Sequence, residues 1–448
     1  MEHSTATVHL VKGLKSLLKT LEGQNDSVDA KPSGAERSDT TPSANRFGCS
    51  TPKPTPASTA VLGCVNEDRV NKGCVDKGCV DKDSEAHCNV ASPDFSSTEN
   101  RVHLLNREGD RSTYCGIDLQ TLCDDGCFES VMWLLLHREQ ANPEQLADTA
   151  ARLLDATVID RPLADTISTI PLQVRPLDLF PLSISLLSCF DSAADDVSAA
   201  GSRSQFWNLM AELPTLMHVA LGGSIEDGRP VFSCECSDPE ISAQLDEPNA
   251  SWAGRLLRIL RTDNRPVTAT EEHAMNVFMT CECITGDRPA DRMAASMGAA
   301  VTDIVAAWKA ASAVFVSQLK NDPFLWTAKV MSGFENPVDA QQWWQDRKGR
   351  PIPFGFSGQP ESDRSAILGQ QCQELLGSVP ALVMEASCRR LEAVRAADGR
   401  FPTTDWTATR LLLLLGVPED RISVAIGMAR LVGWAAHHLD RCEQGATK

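Results

Sequence analysis

Arg430 stands alone in an apolar run, Val424-Ala425-Ile426-Gly427-Met428-Ala429-Arg430-Leu431-Val432-Gly433-Trp434. A guanidinium so placed is either paired within a core or interface, or kept as a binding site for an anion, whose geometry its planar fork matches. A second group of chemistry-bearing residues lies early in the chain. Gly73-Cys74-Val75-Asp76-Lys77-Gly78-Cys79-Val80-Asp81-Lys82 is a tandem pentapeptide, with Cys64 before it and His87-Cys88 after it. A metal could enlist those four Cys and His87, but their spacing fits no zinc pattern, in which paired ligands sit roughly two to four residues apart. The segment reads as a duplicated low-complexity linker, and no metal site is expected. Imidazole chemistry is confined as well, because no His occurs between His273 and His437.

The elements that must position these groups follow from composition and pattern. The chain has 448 residues, 42% of them hydrophobic, enough for one large helical domain or for a large and a small lobe. Its formal charge is -18, from 42 basic and 60 acidic residues. No basic stripe stands out, so neither nucleic acid nor an anionic membrane surface is an expected partner. Apolar runs such as Leu411 to Leu415 fall far short of the ~18 to 20 residues of a membrane span. The first apolar patch, Leu10 to Leu21, carries Lys12, Lys15 and Lys19 and lacks the apolar centre of a secretory signal. A cytoplasmic location is expected, with an organellar import helix as the second reading. The 16 Cys, in a long chain without that signal, are expected to be reduced thiols.

Residues Glu22 to Ser97 are dominated by Ser, Thr, Pro, Gly, Lys and Asp, which predicts disorder. From Asn100 onward the pattern is that of amphipathic helices of ordinary length. Pro143-Glu144-Gln145-Leu146 opens one of them with Pro in its first turn, and Gly416-Val417-Pro418 ends one helix and begins the next. Strand signals are sparse, with Val231-Phe232 a candidate for a short extended piece. The expected fold is all-α.

Two separated motifs carry a family resemblance. The first is Tyr114-Cys115-Gly116-Ile117 followed by the apolar segment Phe128 to Leu136 and His137-Arg138-Glu139. The second is Ile426-Gly427-Met428-Ala429-Arg430-Leu431-Val432-Gly433-Trp434-Ala435-Ala436-His437. Together they resemble the entry and closing segments of citrate synthases, and Leu213-Pro214-Thr215 resembles that family's Leu-Pro-Thr helix start. The resemblance runs from about Asn100 to Asp440. It implies a large helical domain over residues 100–262 and 365–448, a smaller helical domain inserted over 263–364, and a region 1–99 outside the fold. It implies a dimer as well, with itself or with a citrate synthase-like paralogue, for which Trp133 to Leu136 and Leu411 to Leu415 supply apolar surface. No bound cofactor is expected; a CoA thioester is the implied substrate or ligand.

The family condenses an acyl-CoA with a 2-oxo acid, using an Asp as base while imidazoles hold the developing enolate and polarise the keto group. Its motifs, carried onto this chain, are degraded. Thr285, within Glu282-Cys283-Ile284-Thr285-Gly286-Asp287-Arg288, falls approximately where the first catalytic His stands, and Ser317 where the second stands. In Phe354-Gly355-Phe356-Ser357-Gly358, Phe356 replaces a His and Ser357 an Arg; Phe180 replaces a further His. Asp363 matches the catalytic Asp, and Arg430 the Arg that binds the 2-oxo acid carboxylate. Ser and Thr carry no positive charge near neutral pH, and losing one oxyanion donor typically costs ~3 kcal/mol. The reading is therefore a citrate synthase-like protein whose parent activity is lost or altered, serving as a non-catalytic scaffold or partner. The alternative is a reprogrammed condensing enzyme using Asp363 and Arg430 with a different acceptor.

Overall fold

A computed structural model describes residues 103–105, 112–125, 127–155, 157–190, 196–232, 251–263, 265–284, 288–319, 322–347, 355–359 and 362–446. The pentapeptide repeat and the segment expected to be disordered lie outside these residues.

The described residues fold into sixteen α-helices and seven strands of two or three residues each. In chain order, β1 (His103–Leu105), β2 (Ser112–Tyr114) and β3 (Ile117–Asp118) form an antiparallel meander. The β2–β3 turn is made by Cys115 (φ 49°) and Gly116 (φ 85°). Two consecutive left-handed residues match the twist of the flanking strands, as in a type I′ hairpin. The family-like turn is thereby realised, and the hydroxyl of buried Tyr114 donates to the Thr280 carbonyl (2.9 Å).

Next come α1 (Leu119–Asp124), α2 (Phe128–His137), α3 (Pro143–Asp155), α4 (Arg161–Ser168), α5 (Pro176–Phe190) and α6 (Ala199–Ala220). The hairpin β4 (Ser224–Glu226) and β5 (Arg229–Val231) follows, so Val231 is extended as its sequence suggests. Helices α7 (Trp252–Leu260), α8 (Ala269–Glu282), α9 (Pro289–Ala299), α10 (Ile304–Gln318), α11 (Pro323–Ser332) and α12 (Pro337–Asp346) come after it. Strand β6 (Phe356–Ser357), α13 (Asp363–Glu374), α14 (Val379–Ala396), β7 (Phe401–Pro402), α15 (Thr404–Leu414) and α16 (Ile422–Ala446) complete the order.

Local chemistry sets many of the helix starts. Thr268 and Glu271 form a reciprocal capping box on α8, satisfying two otherwise orphaned N–H groups. Ser198, Ser251, Asp303, Asn336, Ser362 and Ser378 cap six further helices through their side chains. Pro occupies the first turn of α9, α11, α12 and α14, where its missing N–H costs nothing.

Helix α16 is the axis of the main core. Ile422, Val424, Ile426, Met428, Leu431, Val432 and Trp434 are all 0% exposed, so its apolar residues are covered on every side rather than along one stripe. Close approach requires small residues. A Cβ on Gly433 would run into the Cys283 carbonyl, one on Gly298 of α9 into the His438 carbonyl, and one on Gly427 would lie 2.8 Å from the Phe180 ring. A second apolar cluster joins Met331, Phe334, Ala340, Trp344, Cys388, Leu391 and Trp406, residues from both sides of position 364.

The apolar runs expected to supply an interface are only partly available for one. Leu134, Leu135, Leu136, Leu411, Leu412 and Leu415 are buried inside this one chain, at 0–2% exposure, so they belong to its own core. Of the two apolar runs, Trp133, Leu413 and Leu414 stay partly exposed. Asp363 is the first residue of α13, with Ser362 as its cap.

Candidate functional site

Arg430 lies on α16 at 4% exposure, with Glu282 and Asp405 as its charged partners. Its Nη2 is 3.2 Å from Glu282 Oε2 and 3.4 Å from Asp405 Oδ1, and its guanidinium sits 5.2 Å from the centroid of the Phe315 ring. Three helix ends supply these groups. Glu282 is the last residue of α8, Asp405 lies in the first turn of α15, and Phe315 is on the last turn of α10. Arg288, just ahead of α9, reaches Asp405 from another direction at 3.4 Å. Asp405 is favoured at a helix N-terminus, where exposed N–H groups attract negative charge. Glu282 has the opposite placement and is held by Arg430.

Arg288, Asp291, Phe315, Gln318, Leu319 and Arg430 line a cavity of about 170 Å³. Asp291 accepts from the Trp434 indole (3.1 Å) and from the Arg288 backbone N–H (3.1 Å). Arg430 Nε and Glu282 Oε1 are buried without a hydrogen-bond partner. Burial pushes the Glu282 carboxyl above the ordinary range, against the pull of Arg430. Burial also lowers the Arg430 guanidinium, and neighbouring Arg288 adds to that, while Glu282 and Asp405 oppose it. At Arg288, Asp405 and Glu282 outweigh burial and raise the proton affinity. The cluster is two cations facing two carboxylates beside an aromatic face, with Asp291 tied to its own donors. Its cations and carboxylates are paired with one another, Arg430 through Nη2 alone, and among the described residues no imidazole lines the cavity.

The other expected site residues lie elsewhere. Asp363 accepts from the Ser112 backbone N–H, from the Ser112 hydroxyl (3.2 Å) and from its own helix at Arg364 N (2.8 Å), and it does not line the Arg430 cavity. Ser317 is exposed, and its hydroxyl donates back to the Val314 carbonyl at 2.8 Å. Thr285 lies outside the described residues. Phe180 is fully buried beneath Gly427, and the Phe356 ring packs 4.6 Å from that of Trp406. The structure thus joins Arg430 to Glu282, Asp405 and Arg288, and leaves Asp363 and Ser317 out of that cluster. Glu282, Asp405 and Arg288 went unrecognised as site residues in the sequence. One signal was present: Glu282 is the lone acid of the apolar run Val277-Phe278-Met279-Thr280-Cys281-Glu282-Cys283-Ile284, the counterpart of lone Arg430.

A helical protein built around one buried axial helix, with a small arginine-lined cavity against it, defines an all-α scaffold with a site at its helix ends. The family profile described as citrate synthase, C-terminal domain, matches residues 94–447. The chain belongs to the citrate synthase family. It is 22% identical to 2-methylcitrate synthase 2 of Corynebacterium glutamicum, over 77% of this chain and 88% of that one. It is also 22% identical to citrate synthase 2 of Bacillus subtilis, over 74% and 87%. Among solved structures it resembles citrate synthase of Thermoplasma acidophilum in a ternary complex with carboxymethyl coenzyme A and oxaloacetate. That likeness has a TM-score of 0.65 and 14% identity, covering 78% of this chain and 91% of that one. Citrate synthase of Pyrobaculum aerophilum gives a TM-score of 0.66 at 14% identity, covering 79% and 88%. Among the described residues, no helix is long and apolar enough to cross a membrane.

Proposed function

We propose that this chain is a non-catalytic member of the citrate synthase family, which uses the family scaffold to bind a partner, either a second copy or a citrate synthase-like paralogue. The observation that carries this reading is the buried pairing of Arg430 with Glu282 and Asp405. An arginine that is to take up a substrate carboxylate must have its charge available, and here two carboxylates already pair with it at Nη2. Taking up a dianionic 2-oxo acid would require breaking those pairs inside a buried cluster, at a cost of several kcal/mol. The replacements at Phe180, Ser317, Phe356 and Ser357 support the same reading, since none supplies a cation or a proton-transferring group.

Ligand-induced thermal shift tests it. A ligand that binds only the folded chain raises the melting midpoint in proportion to the logarithm of its excess over Kd. Oxaloacetate, citrate and acetyl-CoA at millimolar concentration are expected to leave the midpoint within about 1 °C. A rise of several degrees with oxaloacetate that disappears in Arg430→Gln would contradict the proposal and favour a condensing enzyme with an open Arg430 site.

A further inference from the structure

A second concave site lies between α11 and α12 and shares no residue with the Arg430 cavity. Trp326, Phe334 and Trp343 line a groove of about 490 Å³, with Glu335, Asp339 and Lys329 at its edge. The rings are set at angles to one another. Trp326 and Trp343 have centroids 6.1 Å apart at 47°, and Phe334 meets Trp343 edge-on at 6.0 Å and 81°. Both Trp side chains remain only half-buried, so indole faces are presented to the groove.

The groove already holds a cation of the chain's own. The Arg347 guanidinium lies 4.7 Å from the Trp343 centroid and 5.8 Å from that of Trp326. The indole face attracts a flat, weakly hydrated cation through its quadrupole, and guanidinium suits it better than the strongly hydrated lysine ammonium. Glu335 is exposed at the edge of the groove, where its carboxylate can accept a guanidinium fork. Asp339 adds a second carboxylate at the first turn of α12, part of whose capacity is used by the Asn336 side chain. Lys329 opposes the approach of a cation but is exposed and screened. The cavity is far larger than one guanidinium fills, which favours a cation borne on a chain. The net charge of -18 attracts such a partner at long range.

We propose that this groove recognises an arginine side chain presented by a partner protein, which displaces Arg347 from the face of Trp343 and pairs with Glu335. Titration calorimetry with the full chain tests it, using acetyl-Gly-Gly-Arg-Gly-Gly-amide and the same peptide with citrulline, lysine or trimethyllysine in place of arginine. Citrulline keeps the shape and removes the charge. The arginine peptide is expected to bind at least tenfold more tightly than the citrulline and lysine peptides. Trp343→Ala is expected to abolish binding, and Glu335→Gln, an exposed change without a packing role, to weaken it at least threefold. Arg347→Ala is expected to tighten it by removing the internal competitor. Equal affinity for arginine and citrulline, or binding unchanged in Glu335→Gln, would overturn the proposal. Tighter binding of trimethyllysine would overturn the assignment to arginine.

Discussion

Arg430, Glu282, Asp405 and Arg288 behave as one charged unit, and the stability of the chain depends on keeping it complete. Removing one member of a buried ion pair leaves the others desolvated and unmatched, at a cost of about 3–5 kcal/mol. Arg430→Ala is therefore expected to lower the melting midpoint by roughly 5 °C in a chain of this size, measured without ligand by calorimetry. A midpoint unchanged by Arg430→Ala would mean that the cation is held for a ligand and not for the fold. Arg430 was legible from its isolation in an apolar run, and the motifs around it identified the family. Its partners were not legible, because Glu282 and Asp405 lie 148 and 25 residues away and only tertiary packing brings them to one guanidinium. Asp363 shows the opposite failure. Its place in a motif is clear, yet its carboxylate is engaged by Ser112, 251 residues away, which no local pattern reveals.

Helix α16 and the elements packed on it set the architecture, and their tolerances follow from how closely they approach. Gly433→Ala puts a methyl group against the Cys283 carbonyl, and Gly298→Ala does the same at the His438 carbonyl. Neither carbonyl can move without shifting a helix, so each change is expected to cost about 1–3 kcal/mol, read from denaturant midpoints. Glu271 makes a pH-dependent contribution at the start of α8. Burial works against its ionisation, but hydrogen bonds from Arg265, from the Thr268 N–H and from Arg261 hold its pKa down to about 2. A carboxyl depressed from its ordinary 4.5 stabilises the fold fully above that pH and loses the contribution as pH falls toward 2. Discounted for the partly exposed Arg265, this is worth about 2 kcal/mol. The gap in stability between the natural chain and Glu271→Gln is therefore expected to be widest above pH 5 and to narrow steadily toward pH 2 to 3. A gap that does not change with pH would show that ionised Glu271 is not the source. The helix start at Pro143 could be read locally because Pro in the first turn is a local signal. The short strands β6 and β7 could not, since Phe356 and Ser357 pair with residues some forty-five positions later and carry no alternation of their own.

At the scale of the molecule, one family fold carries a site whose charges are already matched. The family match begins at residue 94, and the expectation from composition is that Glu22 to Ser97 contribute little to the fold. A chain starting near Thr98 is expected to stay soluble and to melt within about 2 °C of the full chain; aggregation of the shorter chain would show that the first region supports the fold. Partner binding is expected to show in light scattering as a mass of about twice the 48.6 kDa of one chain, or as a mixed complex with a citrate synthase-like protein from the same cells. A monomer at micromolar concentration with no such partner would remove the scaffold role. The central claim concerns chemistry, and release of free CoA from acetyl-CoA in the presence of oxaloacetate tests it most directly. The account predicts no release by the purified full chain above the enzyme-free background. Turnover within about tenfold of tens per second, abolished by Asp363→Ala, would contradict it.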